Sequence, residues 1–456
     1  MSASRMSPEE LRASIALAGI FGLRMLGMFV ILPVFAIHAE SLPGGDNLTL
    51  VGIAIGIYGL TQACLQIPFG WWSDRYGRKP VIYAGLAVFA VGSFIAALGV
   101  HIWVVILGRM LQGAGAISAA VMAMAADLTR DEHRAKAMAM IGSTIGATFA
   151  LSLVLSPWLN RVIGVPGIFV MTGVLVLCAV WVVHALVPDV QHPSHHTDMR
   201  GLVQLTAALR DPQLARLDYG VFALHAVLMA LFIAVPLELR AAGLPVDRHW
   251  LVYLPVMAGS FLLMLPALVG TARPARMKAA FIGSITLLFV SQVALPWLTG
   301  EAWLLGALLL VFFTPFNALE AHLPTLISRV APASTRGMAI GIFASIQFFG
   351  AFFGAAAGGY LYGRWGTVGI VILNAVLIVI WLAVAAGTRV PAPRSIRAYA
   401  LPALDRGEAA VLRVQLLAQP GVHEARVASA ERHAYLTVDS AVFDEQNVLK
   451  LIQRDS

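Results

Sequence analysis

The chain has 456 residues, 59% of them hydrophobic and 12% charged, with a net charge of +7 and a mean hydropathy of +0.81. That composition excludes an ordinary soluble domain. Apolar stretches of about 20 residues recur, each able to cross a hydrocarbon layer of about 30 Å, and they predict an all-α polytopic membrane protein.

Twelve spans are expected, at about 11–38, 48–70, 79–99, 102–126, 136–159, 165–187, 215–238, 249–270, 279–298, 302–326, 337–361 and 367–388. The first lacks a small-residue cleavage site and exceeds signal-peptide length, so it reads as a retained helix. Lys and Arg in the short connections divide nineteen against four, the minority being Arg161, Arg240, Arg248 and Arg364. The positive-inside rule then places both termini in the cytoplasm. Cys64 and Cys178 both fall in apolar spans, so no disulfide frame or cysteine metal site is implied.

Span 1 carries Arg24 at its middle, on a face continued by Met28, Ile31 and Phe35. An intramembrane charge is a functional hypothesis, and Arg24 is assigned to a central cavity, with a buried structural role as the alternative. Gln62 and Gln66, one turn apart in span 2, are further cavity candidates, as are Gln112 in span 4 and Gln347 in span 11. Between spans 2 and 3 runs GWWSDRYGRKP (70–80), where Asp74, Arg75, Arg78 and Lys79 place four charges within six positions. Gly70 permits close helix approach and Gly77 can supply a positive φ. Asp74 can accept bonds from a helix N-terminus of the other half, and Arg78 can bridge Asp74 and Asp127.

After span 6 the longest connection contains Pro188, Pro193, His192, His195 and His196, then an amphipathic stretch near 200–210. It divides the chain into an N-terminal half (1–188), a central loop (189–213) and a C-terminal half (214–390). A sequence echo supports two halves: Lys136-Ala137-Met138-Ala139 resembles Arg336-Gly337-Met338-Ala339. Two six-helix halves with a midplane site between them form a transporter architecture.

In the second half, Glu320 stands in span 10 as the acidic residue well inside a span, with Asn317 one turn before it. Pro315 and Pro324 are expected to break that helix near its ends and free carbonyls. A carboxylate there suits proton coupling, with Arg24 or Arg109 as conceivable partners. His225 in span 7 is the other titratable candidate. His322 faces elsewhere. Gly350, Gly354 and Gly358 in span 11 read as helix packing.

Composition changes after Gly387. Segment 394–456 reads as strand 395–401, helix 407–419, strands 423–429 and 433–440, and helix 444–453. That β-α-β-β-α order is most of a ferredoxin-like unit. It resembles the heavy-metal-associated fold without its paired cysteines, and His423 and His433 read as exposed strand residues. About 60 residues form a marginal domain alone, so docking or self-association is expected.

The loop at 70–80 resembles the signature G-x-x-x-D-R-x-G-R-[RK] of the major facilitator superfamily, matched by Gly70, Asp74, Arg75, Gly77, Arg78 and Lys79. The resemblance implies a twelve-helix major facilitator fold in a bacterial inner membrane. It also implies that this cluster, with Asp127, latches an outward-open state. LGRMLQGAGA (107–116) resembles the superfamily motif built on an intramembrane arginine, which implies for Arg109 either proton coupling or a structural hydrogen-bond network. There Gly113, Ala116 and Ala120 share a face with Arg109. FGLRMLGMFVILPV (21–34), TPFNALEAHLPTLISRVAP (314–332) and RGMAIGIFASIQFFGAFFG (336–354) resemble the YajR-type transporters, which carry a cytoplasmic ferredoxin-like domain. Two departures weaken an export assignment: Arg24 replaces the acidic residue of many drug exporters. Gly142, Gly146 and Pro157, with Ala147, replace the G-P-x-x-G-G kink.

The expectation is therefore a secondary active transporter, performing proton-coupled efflux of small organic or amphipathic compounds by alternating access. A membrane sensor using the C-terminal domain and a proton-coupled importer are the alternatives. An enzyme is not expected, because no catalytic set stands at useful spacing. There is no phosphate-binding loop, and no cofactor, metal or nucleic acid is implied. The expected partners are the lipid bilayer, a small-molecule substrate and protons.

Overall fold

The computed structural model describes residues 6–189, 200–269, 274–332, 335–388, 394–402, 405–429, 432–439 and 442–454. His192, Pro193, His195 and His196 lie outside the described residues. Helices fill the membrane part, and eleven of them are long and apolar enough to cross a bilayer. One of those, Lys136–Leu186, has 51 residues and so carries two crossings.

The first span is α1 (Pro8–Phe29) and α2 (Leu32–Ala39). Ser7 and Glu10 form a capping box at the start of α1, with Pro8 in its first turn. The second and third are α3 (Leu48–Tyr76) and α4 (Arg78–Ala97), separated by Gly77 at φ +93°. The fourth is split into α5 (Ile102–Ala114) and α6 (Ser118–Asp127). This break interrupts the face expected to join Gly113 to Ala120. Gly113 instead seats α5 on α3, where a Cβ would lie 2.1 Å from Thr61 Oγ1 and 2.2 Å from the Tyr58 carbonyl.

Spans 5 and 6 are two helices, together α7 (Asp131–Leu186), that meet at Gly164, whose backbone is not helical (φ +66°), two residues before Pro166. The amphipathic stretch is α8 (Arg200–Arg210). The second half follows as α9 (Pro212–Ala241), α10 (Trp250–Val269), α11 (Pro274–Ala294), α12 (Ala302–Val330), α13 (Arg336–Trp365) and α14 (Thr367–Ala386). Contrary to expectation, α12 runs unbroken through Pro315 and Pro324. Each proline removes only one backbone donor, and packing on both sides holds the helix.

The halves meet closely along α3 and α13. A Cβ on Gly52, Gly56 or Gly59 would come within 2.1–2.9 Å of the carbonyls of Ala355, Phe352 and Phe348 respectively, and one on Gly359 within 2.2 Å of the Leu48 carbonyl. Within the second half, Gly350, Gly354 and Gly358 seat α13 on Phe222, Ala226 and Ala230 of α9. That is the helix packing read from their spacing.

The tail folds around its own core. β1 (Arg394–Ala400), β2 (Val422–Ala428) and β3 (His433–Asp439) form a sheet of order β1-β3-β2, both pairs antiparallel. The crossover between β1 and β2 is α15 (Arg406–Leu417), and α16 (Glu445–Arg454) follows β3. This is a split β-α-β arrangement. Leu412, Leu416, Leu436, Val438 and Val448 are buried between sheet and helices.

Candidate functional site

The N-terminal half encloses two arginines. Arg24 donates Nε–H to the Gly115 carbonyl (3.1 Å), Nη1–H to Ser118 Oγ (2.8 Å) and Nη2–H to Gln62 Oε1. Gly115 lies in the break between α5 and α6, where helix-end carbonyls lack intrahelical partners. Gln62 Nε2–H donates onward to Gln66 Oε1 at 3.1 Å. Arg109 donates to the Gly27 carbonyl in the last turn of α1 (3.1 Å), to Gln112 Oε1 (2.8 Å) and to the Ile55 carbonyl (3.3 Å). Gln112 continues to Ser93 Oγ at 2.7 Å. Tyr58 lies between the two, its ring 5.7 Å from Arg24 Cζ and 5.0 Å from Arg109 Cζ.

Arg24, Arg109, Gln62, Gln66 and Gln112 are all buried inside this half. In this conformation they therefore hold α1, α3, α5 and α6 together and do not line a cavity. Among the described contacts neither arginine pairs with Glu320, so of the partners conceivable from sequence this conformation shows neither. The acceptors are neutral: the carbonyls of Gly27, Ile55 and Gly115 and the side chains of Ser118, Gln62 and Gln112, with Arg109 Nε left unbonded.

In the C-terminal half, three helices bring Glu320, His225 and Gln347 together. His225 Nδ1 is 3.1 Å from the Val221 carbonyl on its own helix. Gln347 Nε2 lies 2.7 Å from His225 Nε2 and 3.4 Å from Glu320 Oε1. Glu320 Oε2 and His225 Nε2 are 3.6 Å apart, and the carboxylate side chain is 31% exposed while the imidazole is 8%. Aromatic rings flank the set. Phe316 packs against His225, and Phe149 of α7 meets Phe232, Phe313 and Phe316 of the other half. Asn317 turns away and donates to Ser260 Oγ at 3.0 Å. His322 is buried apart, neither ring nitrogen bonded.

At the 70–80 loop, Arg78 donates Nε–H to Asp127 Oδ2 (2.9 Å), Nη1–H to Ser73 Oγ (2.9 Å) and Nη1–H to Asp74. Lys79 pairs with Asp189 at 2.9 Å. Arg75 lies over the rings of Trp71 and Tyr76. Gly70 approaches Ala119 of α6, a Cβ there standing at 3.4 Å. Asp74 is bound by Arg78 of its own half, where a helix N-terminus of the other half was expected.

The opposite end is closed by ion pairs between the halves. Arg240 of α9 is bidentate on Glu40 at the end of α2, both contacts 2.7 Å, and Arg161 of α7 approaches Asp247 at 3.6 Å. Nearby, Glu238 accepts from Tyr362 (3.1 Å) and Thr367. Toward the loop end, Gly142, Gly146, Gly337 and Gly341 have no atom within 4 Å of a built Cβ. The ion pairs close the bundle at the Glu40 end.

Several of these residues escaped sequence reasoning. Tyr58 carries a signal, lying one turn before Gln62 on the same face. Asp218 is a second acidic residue within a span, buried in α9 with Oδ1 unbonded, and corrects the reading of Glu320 as the lone acid. Glu40, Arg240 and Glu238 sit at span ends, where charge is unremarkable in sequence.

The described geometry agrees with comparisons to known proteins. The family model for the Major Facilitator Superfamily matches residues 17–322, and the model for the YajR YAM domain matches residues 399–454. The chain is 40% identical to the inner membrane transport protein YajR of Escherichia coli (strain K12), over 100% of both chains. It is 26% identical to the multidrug resistance protein MdtH of Photorhabdus laumondii, over 74% of this chain and 84% of that one. Among solved structures, a bacterial homolog of the human lysosomal transporter Spinster, inward-facing and occupied, aligns with a TM-score of 0.66 at 13% identity, covering 83% of this chain and 96% of that one. The human organic anion transporter MFSD10 aligns at 0.61 with 17% identity, covering 83% and 100%.

Proposed function

We propose that this chain, which belongs to the major facilitator superfamily and is a YajR-type membrane transporter, not an enzyme, works as a proton-coupled exporter of small organic or amphipathic compounds. The observation that carries the proposal is the Glu320–Gln347–His225 set. A partly exposed carboxylate sits at mid-span beside an imidazole, on three helices of one half. Such a carboxylate can exchange a proton with a water-filled cavity, and intramembrane ionisable groups of this kind mark proton pathways.

The Lys and Arg asymmetry supports a cytoplasmic position for the 70–80 loop and both termini, in a bacterial inner membrane. On that orientation we read the arrangement as inward-open. The Glu40–Arg240 side is shut, and the loop cluster holds its charges within one half. Conversion to the outward-open state would release Glu40 from Arg240 and bring the Asp74 region against α13. We read residues 1–188 and 214–390 as the two rocking halves, 189–213 as their connection, and 394–456 as a cytoplasmic ferredoxin-like domain.

The test is proton flux in sealed proteoliposomes with an internal pH dye and a panel of cationic and neutral organic compounds, wild type beside Glu320→Gln. Substrate-triggered proton movement that is lost in the variant is the expected result. Equal flux in both would move coupling away from Glu320, and no flux with demonstrable ligand binding would favour a sensor.

A further inference from the structure

The hydrogen-bond directions around His225 assign a role that the residue types alone do not. A backbone carbonyl only accepts, so the 3.1 Å contact to Val221 is a hydrogen bond only with the proton on His225 Nδ1. In the neutral ring Nε2 is then an acceptor. The amide of Gln347 faces two acceptors at once, His225 Nε2 at 2.7 Å and Glu320 Oε1 at 3.4 Å. Only its NH2 group satisfies both.

Resting on the proton-coupling reading above, we infer that Gln347 is a positioning residue that keeps His225 neutral with its Nε2 lone pair occupied, and so leaves Glu320 as the group that carries the proton. Adding a proton to His225 Nε2 would set an N–H against the Gln347 N–H and break the bond between them. Protonating Glu320 costs only the longer contact, and its carboxyl is the more exposed group. The charge change of the cycle is thereby confined to one site.

Among the described residues the one ion-pair contact of His225 is Glu320 at 3.6 Å, and on its own helix the buried Asp218 stands two turns away. From α12 the facing group is Glu320, because His322 projects from a different side and Arg329 lies in the last turn. On α13, Arg336 and Arg364 stand at the two ends, and α14 carries no titratable side chain. Gln347 also immediately precedes Phe348, whose carbonyl closes on Gly59 of α3. The amide thus sits beside the seam between the halves.

The experiment uses the full-length protein in liposomes with 15N-labelled histidine. The His225 signal is identified among the 12 histidines by its absence in His225→Gln. The expected wild-type signature is a neutral ring protonated at Nδ1. In Gln347→Met the Val221 carbonyl still holds Nδ1–H while Nε2 loses its donor, so the Nε2 signal should move toward that of an unbonded lone pair. The pH midpoint of transport should move by roughly half to one unit, the size expected for losing one hydrogen bond. A wild-type neutral ring protonated at Nε2 would overturn the inference, even if Gln347→Met does not fold. So would an unchanged Nε2 signal and midpoint in that variant. A wild-type transport rate independent of pH would defeat the coupling reading instead, while the tautomer still tests Gln347.

Discussion

Glu40 and Arg240 face each other from opposite halves, with both carboxylate oxygens 2.7 Å from guanidinium nitrogens. The pair is nearly half exposed on each side, so its worth is about 0.5–1 kcal/mol despite its bidentate geometry. That suffices to shift a two-state balance two- to fivefold. Glu40→Gln should therefore raise the outward-open population by that factor, read as spin-label distances between the halves. The charge swap Glu40→Arg with Arg240→Glu should restore it. A Glu40→Cys/Arg240→Cys disulfide should stop transport until reduced.

The α3–α13 seam makes a sharper demand. At Gly52 and Gly359 a methyl would meet a backbone carbonyl 2.1–2.2 Å away, which no side-chain adjustment relieves. Gly52→Ala should cost about 1–3 kcal/mol, as overpacking does, and force the helices apart. Because that contact belongs to the closed end, the variant should favour the outward-open form. Gly142→Ala, at a helical position with open space, should raise stability by about 0.5–1 kcal/mol and leave the conformational balance unchanged.

At the loop, Arg78 is 6% exposed and serves Asp74, Asp127 and Ser73 together. Arg78→Ala leaves Asp127 beside a vacated, largely buried position. Loss of a buried partner typically costs about 3–5 kcal/mol. The exposure of Asp74 and Asp127, 35% and 19%, argues for the lower part of that range or below it. The expected readout is a lower melting temperature and reduced transport. Arg78→Lys should recover little, since an ammonium cannot reproduce the forked contacts.

The spans, the 70–80 loop and the tail elements were legible because each rests on a local pattern: apolar length, glycine and charge spacing, or strand alternation. What Arg24 touches was not. Its depth in span 1 suggested a cavity, but its partners come from α3 and from the break between α5 and α6, far away in sequence. The same holds for His225, Glu320 and Gln347. Each stood out singly, yet nothing along the chain says that α9, α12 and α13 bring them together. Glu40 and Arg240 were hidden for another reason, since charge at a span end needs no special account until the opposite half is in place.

Arg24 supplies a test of that correction. If it holds helices together, Arg24→Ala should lower thermal stability by about 3 kcal/mol or more. Gln62, Ser118 and the Gly115 carbonyl would all lose a partner inside the half. Arg24→Met, which refills the volume, should recover part of the packing loss. In both variants the surviving folded fraction should keep the wild-type pH midpoint, because Arg24 makes no contact with Glu320. A midpoint that moves with Arg24→Met would return this arginine to the coupling path.

The tail offers a test in its own pH range. Tyr399 is buried at the end of β1 and donates its hydroxyl to Glu445 of α16 at 3.0 Å. Burial, first, and this hydrogen bond push its phenol up to about 12. Folding therefore favours the protonated phenol. Its contribution is fully present below the unfolded value of about 10 and is lost as pH rises from there toward 12. The thermal unfolding midpoint of the tail in the full-length protein should fall across that window, and Tyr399→Phe should remove the part of the fall that Tyr399 contributes. Leu436→Ala, in the central strand of so small a core, should cost about 2–5 kcal/mol and unfold the tail at neutral pH. Transport measured with Leu436→Ala then separates two roles. A changed rate would show that the folded tail acts on the helices, and an unchanged one would confine it to binding something else.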